Sequence, residues 1–164
     1  MATTKELTVR PYREGDLPDL VEIDAEFQHE SGFGLGDPDR PLFPHLDMDD
    51  IDAVYTNSGG AFWIIEAPDS EIAGFGGVLR VDDETTRLRR FRIASAWRRQ
   101  GLATRLLEQA EAFCRERGYR RVTLGTNEKN TPAQTLYKRH GYIRIGEHTY
   151  PNGEREIEFE KVLS

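Results

Sequence analysis

Three apolar, β-rich runs follow one another with no helix between them: AFWIIEA (Ala61–Ala67), IAGFGGVLRV (Ile72–Val81) and RLRRFRIA (Arg87–Ala94). A long helical pattern from about Gly101 to Arg117 comes next, and then another short strand, RRVTLGT (Arg120–Thr126). This order constrains the fold more than any other feature of the chain. Consecutive strands joined by a tight turn, here Pro68-Asp69-Ser70, pair antiparallel. A strand–helix–strand unit instead makes a right-handed crossover and leaves its two strands parallel. One sheet has to hold both, so the expected class is mixed α/β with a largely antiparallel sheet and flanking helices.

The remaining pattern fits around that centre. LTVRPY (Leu7–Tyr12) alternates as a first strand. Gly15-Asp16 opens a helix on which Leu17, Leu20, Val21, Ile23 and Phe27 recur near helical spacing. The prolines and glycines of residues 31–44 read as a loop, and Asp47 to Tyr55 as a short second helix stopped at Ser58-Gly59-Gly60. On the long helix Leu102, Leu106, Ala110 and Phe113, with Leu107 and Cys114, form one apolar stripe, and Gly118 stops it. Thr131 is expected to cap the next helix, with Pro132 at its first position and Gln134 closing a capping box. Leu136 and Tyr137 lie on that helix and Gly141 ends it. A closing hairpin, YIRIGEHTY and EREIEFEKVL about Pro151-Asn152-Gly153, points Ile157 and Phe159 inward.

A chain of 164 residues suits one domain, residues 1–164, with a core that needs no staples. The longest apolar stretch, Ala61 to Ile65, is far too short to span a bilayer, and the first ten residues carry no apolar signal core. With one cysteine, Cys114, no internal disulfide forms. These features point to a cytoplasmic protein without membrane association. Cys114 reads as a small core hydrophobe. A metal is not expected from one cysteine and four scattered histidines.

The net charge of −7 argues against a nucleic-acid partner. The charge is unevenly spread: Glu14 to Asp52 holds thirteen acids and one base, whereas Arg87 to Arg121 holds eleven arginines and three acids. Either these are two solvated faces, or the basic stretch meets an anion and the acidic stretch a cation.

Arg98-Arg99-Gln100-Gly101-Leu102-Ala103 sits where the long helix begins. A helix N-terminus presents unpaired N–H groups and the positive end of its dipole, and so favours anions. Gly101 and Ala103 leave room for a phosphate, and Arg98 and Arg99 add charge-assisted contacts. A plain helix start with two solvated arginines is the alternative. Neither a Walker A loop nor a dinucleotide G-x-G-x-x-G is present.

RLRRFRIASAWRRQGLATRLL followed by NTPAQTLYKRHGY resembles the GNAT superfamily of acyl-CoA-dependent N-acetyltransferases. The family's Arg/Gln-x-x-Gly-x-Gly/Ala signature corresponds to Arg98–Ala103. Its second segment corresponds to Asn130, Ala133, Leu136, Tyr137, Gly141 and Tyr142. The element order matches over nearly the whole chain, from Leu7 to Leu163. The resemblance implies a mostly antiparallel sheet with a splayed parallel strand pair. It implies acetyl-CoA as co-substrate, its pyrophosphate on the backbone of Arg98, Arg99, Gln100, Gly101, Leu102, Ala103 and Thr104. It places the pantetheine arm in the splay, with main-chain hydrogen bonds from Phe91 and Ile93. Tyr137 matches the usual general acid for the departing thiolate; on residues alone it is equally a core aromatic. Asn130 either contacts the cofactor arm or only precedes the helix cap.

Two positions depart from the family pattern. Arg87 stands near the place of a common glutamate base, and Ser95 where proline is frequent. The base is then Glu84 with its neighbours Asp82 and Asp83, Glu26, Glu30, His29 or a water relay. The reaction implied is attack of a primary amine on acetyl-CoA in a ternary complex. The amine belongs to a small molecule, an amino acid, a peptide or a protein. The acidic stretch suggests a cationic acceptor, and Arg87, Arg89, Arg90 and Arg92 suggest a carboxylate. A non-catalytic acyl-CoA sensor or interaction domain is the alternative. The closing hairpin makes a homodimer possible.

Overall fold

The computed structural model describes residues 6–31 and 46–164, with backbone alone at residues 28–31, 46 and 49. Seven strands form one sheet: β1 (Thr8–Pro11), β2 (Ala61–Glu66), β3 (Ile72–Arg80), β4 (Thr85–Ile93), β5 (Arg121–Asn127), β6 (Ile143–Thr149) and β7 (Arg155–Val162). The helices are α1 (Leu17–Ser31), α2 (Leu46–Asp49), α3 (Ile51–Val54), α4 (Leu102–Glu116) and α5 (Thr131–Arg139). The strand order is β1-β2-β3-β4-β5-β7-β6, antiparallel throughout except for β4 with β5. This is the mixed sheet with one parallel pair that the strand order predicts.

Both crossovers, through α4 and then α5, advance the sheet in the same direction. Right-handed connections of that kind put both helices on one face. The larger core lies there: Leu102, Leu106, Leu107, Ala110 and Cys114 of α4 pack with Val122, Leu124, Tyr137, Tyr142 and Phe159. Cys114 is fully buried, 3.3 Å from the Thr86 hydroxyl, and burial pushes its thiol up, in keeping with a core role. A smaller core fills the opposite face: Leu20 of α1 and Met48, Ile51 and Tyr55 pack against Phe62, Ile64 and Phe75. Ile157 and Phe159 point inward as expected, but Val21 is exposed. No helix among the described residues is long and apolar enough to cross a membrane.

Two local expectations need correcting. The second helix breaks at Asp50, whose side chain accepts the Ala53 N–H at 3.1 Å and caps α3 instead of continuing α2. The cap of α5 is Asn130, not Thr131: its Oδ1 accepts from Ala133 N at 3.3 Å. Thr131 becomes the first helical residue, so Pro132 moves to the second position. Gln134 donates to the carbonyls of Asn127 and Glu128 and closes no capping box. The loop expected over residues 31–44 lies, beyond Ser31, outside the described residues.

Candidate active site

β4 and β5 pair only at Thr85–Arg121, Thr86–Val122 and Arg87–Thr123. Beyond Arg87 the strands part, which leaves the far half of β4 without a ladder partner on that side. A bulge opens β4 at the same level. Gly77 lies opposite Arg89 and Phe75 opposite Arg92, so Arg90 and Phe91 share one partner, Gly76. Arg90 takes φ 62°, a left-handed conformation rare for a residue with a side chain. The bulge reverses the alternation, so that Leu88, Phe91 and Ile93 all join the core under α4. Gly76 is required there, because a Cβ would run into the Phe91 ring and approach Leu106 to 2.9 Å.

The main-chain edge of this unpaired segment faces the gap. Ala94 N donates to Ala73 O of β3 at 2.8 Å, so the peptide groups of Ile93 point the other way. Their carbonyls are met by arginine side chains: Arg98 Nε donates to Ile93 O at 3.2 Å and Arg92 Nη1 to Phe91 O at 3.2 Å. Phe91 and Ile93, the two residues the resemblance singles out, thus offer main-chain groups on the parted side of β4.

The turn Ser95–Trp97 leads from β4 to α4 and is anchored by buried Trp97, whose Nε1 donates to Glu71 at 3.1 Å. In the loop that follows, Arg99 has φ 63° and Gly101 φ 76°. Successive left-handed turns of this kind aim backbone N–H groups into a common concavity that suits an anion. Among the described residues, the N–H groups of Arg99, Gln100, Gly101, Leu102, Ala103 and Thr104 have no backbone acceptor; the first bond of the helix is from Arg105 N to Gly101 O. Arg98 and Arg99 are exposed, Leu102 is buried, and Ala103 and Thr104 are half-buried. Space does not dictate the glycine: a Cβ on Gly101 meets nothing within 4 Å, and the positive φ is what favours it.

Tyr137 comes from α5 and is 7% exposed, packed edge-on to Tyr142 with ring centroids 5.6 Å apart. Its hydroxyl makes no hydrogen bond among the described residues. Burial pushes the phenol up to about 12, and the charge of Arg92 opposes that rise. The group is therefore protonated at neutral pH and available as a donor. Asn130 is committed through Oδ1 to capping α5.

The opposite wall holds residues that sequence reasoning left unresolved. Arg90 bridges to two buried carboxylates, with Nη2 2.6 Å from Asp47 Oδ1 and Nη1 3.3 Å from Asp24 Oδ2. Tyr55 donates to Asp47 at 2.6 Å. Burial raises the Asp47 carboxyl, but the hydrogen bond and charge of Arg90, with the Tyr55 bond, outweigh it and hold the group below its ordinary value. Arg92 Nε donates to Asp24 at 3.1 Å, and its guanidinium stacks 3.8 Å over the Phe27 ring. Arg10 likewise pairs with Asp16 at 2.6 Å. Several acids of the Glu14–Asp52 stretch thus neutralise the chain's own arginines. A cationic acceptor does not follow from the charge asymmetry. Arg90 and Arg92 of β4 meet Asp24 of α1 and Asp47 of α2, a tertiary pairing that spacing along the chain does not encode.

Three of the base candidates are not brought to the gap. Asp82, Asp83 and Glu84 precede β4 at its paired end, where the Glu84 carbonyl accepts from Arg120 and Arg121 N–H groups. Glu26 lies exposed on α1. The side chains of His29 and Glu30 fall outside the described residues. Arg87, at the position where a base was sought, forms a bidentate pair with Glu158 at 2.8 and 2.9 Å.

Comparison with known proteins agrees with this geometry. Residues 17–142 match the model of the acetyltransferase (GNAT) family. The chain is 35% identical over 107 residues to human N-acetyltransferase 8, covering 62% of this chain and 47% of that one. It is 34% identical over 104 residues to N-acetylaspartate synthetase of Danio rerio, covering 63% and 37%. It thus spans half or less of these relatives' length. Among solved structures, a Staphylococcus aureus acetyltransferase of the GNAT family superposes with a TM-score of 0.83 at 23% identity, covering 96% of this chain and 99% of that one. A GNAT acetyltransferase of Elizabethkingia anophelis with acetyl-CoA bound gives 0.67 at 21% identity, over 98% and 100% of the two chains. This chain belongs to the acetyltransferase (GNAT) family.

Proposed function

We infer that the protein is an N-acetyltransferase that moves an acetyl group from acetyl-CoA to a primary amine by direct attack in a ternary complex. The observation that carries this reading is the loop Arg98–Thr104, in which the N–H groups of Arg99 to Thr104 lack backbone acceptors among the described residues, at the mouth of the parted β4–β5 pair. The loop and the dipole of α4 take the pyrophosphate. The pantetheine arm lies along β4, where the main-chain groups of Phe91 and Ile93 bind it and polarise the thioester carbonyl. Asn130 borders the arm from the head of α5. Acetyl-CoA supplies the activated acyl group; the chain orients it and excludes water.

Tyr137 acts as the general acid. Attack of the amine on the thioester carbon forms the amide bond and breaks the C–S bond, and the phenol proton passes to the departing sulfur. The amine's own proton leaves through Glu26, Glu30 or a water chain. One relative is by name an N-acetylaspartate synthetase, and this reading takes an amino-acid amine as one acceptor class beside other small-molecule and peptide amines. The closing hairpin carries exposed Ile143, Ile145 and Val162, and two copies pair along it in this reading.

Free thiol released from acetyl-CoA, with and without a panel of amines, tests the reading. Amine-dependent release supports transfer. Acetyl-CoA binding without release under any amine favours a non-catalytic acyl-CoA sensor.

A further inference from the structure

Arg92 is a half-buried guanidinium with part of its donor set unused. Its side chain is 14% exposed. Three constraints fix it: Nε donates to Asp24, Nη1 donates to the Phe91 carbonyl, and Phe27 covers one face. Nη2 has no acceptor among the described residues. A polar group this enclosed and left without a partner calls for an explanation. Tyr137 poses the same question, since its hydroxyl also has none and the charge of Arg92 acts on it. Two unsatisfied groups, one on β4 and one on α5, flank the gap where β4 and β5 part.

Arg89 and Arg90 lie on the same wall, Arg89 near Asp47 and Arg90 paired with Asp47 and Asp24. Arg89 is 4.0 Å from Asp47 with its side chain 30% exposed, so it adds field to the same wall. A planar guanidinium held at Nε and covered on one face presents its remaining N–H edge as a fork, the shape that a carboxylate matches.

We propose that Arg92 anchors a carboxylate of the acceptor, so that the protein acetylates amines bearing a carboxylate a few bonds away, as in an amino acid. This rests on the acetyl-transfer reading above. An amine must reach the thioester carbon next to the sulfur that Tyr137 protonates. A carboxylate on Arg92 therefore belongs to the same small molecule, only a short chain from the nucleophile. Asp24 and Phe27 are positioning residues that keep the fork turned to the gap.

The test uses the intact protein, acetyl-CoA and matched acceptors: amino acids, their carboxamides, and the corresponding decarboxylated amines. Thiol release is measured for wild type, Arg92→Lys and Arg92→Met, with the acetyl-CoA-induced melting shift as the check on folding. Wild type should favour the carboxylates over the carboxamides by roughly tenfold to a hundredfold in kcat/KM, the range for a hydrogen-bonded charge pair. Arg92→Met should abolish that preference mainly through KM, and Arg92→Lys should restore part of it. Equal rates for acid and carboxamide in the wild type overturn the assignment. So does an Arg92→Met loss of equal size with every amine, which would place Arg92 on the cofactor or the leaving thiolate. Release with no amine at all contradicts acetyl transfer itself, and the acceptor assignment falls with it.

Discussion

Arg90 Nη2 lies 2.6 Å from Asp47 Oδ1, joining a strand residue of left-handed backbone conformation to the short helix on the far side of the sheet. The side chains are 2% and 8% exposed. Removing one partner leaves a buried charge without its counter-charge, a loss of about 3–5 kcal/mol. Arg90→Met should lower stability by that amount in denaturant unfolding. A loss under about 1 kcal/mol, the range of an exposed pair, would show that the network does not hold the bulge.

Gly76 faces the bulge from β3. Gly76→Ala should cost about 1–3 kcal/mol by overpacking, because the Phe91 ring or Leu106 has to move. Since Phe91 sits on the segment assigned to the pantetheine arm, the variant should also raise KM for acetyl-CoA. Unchanged unfolding and KM would mean that the ring moves freely.

Tyr137→Phe keeps the ring in its contacts with Tyr142 and Phe159 and removes only the proton. Loss of a general acid typically costs about 10²–10⁴-fold in turnover. The melting shift produced by acetyl-CoA should persist. Turnover within about threefold of wild type would return Tyr137 to a purely packing role.

Buried phenols set an alkaline limit. Burial raises Tyr137 from 10.0 to about 12, and burial with Asp47 or Glu111 nearby also raises Tyr55 and Tyr142. Below pH 10 both folded and unfolded chains keep these protons. As pH rises through the window from 10 to about 12, the unfolded chain releases the Tyr137 proton and the folded chain retains it, so stability falls. Phenolate absorbance should therefore stay incomplete in the native protein at pH 10 and rise with unfolding. Simple titration of all six tyrosines near pH 10 would contradict the burial.

The sheet was legible because strand runs and tight turns declare antiparallel neighbours, and because one amphipathic helix between two strands declares a parallel pair. The Arg98–Ala103 loop and Tyr137 were singled out by their resemblance to the family's two segments. Asn130 was not read as a cap because Thr131 beside it caps well in isolation, and Asp50 fell inside a stretch read as one helix; backbone geometry decided both. The Arg92–Asp24–Phe27 constellation is assembled by tertiary pairing between residues far apart in sequence, and spacing along one chain does not encode it. The bulge at Arg90 is also invisible in the alternation of RLRRFRIA, since it depends on Gly76 of the neighbouring strand.

The central claim is that Arg98–Thr104 is a coenzyme A cradle, and a thermal melt with and without excess acetyl-CoA tests it most directly. At about 100 times its dissociation constant a ligand adds roughly 2.7 kcal/mol, which for a chain of this size raises the midpoint by roughly 5–10 °C. The account predicts that rise, and predicts its loss in Gly101→Val, where a β-branched residue resists the positive φ of the loop. No rise at saturating acetyl-CoA, or an equal rise in Gly101→Val, would contradict it.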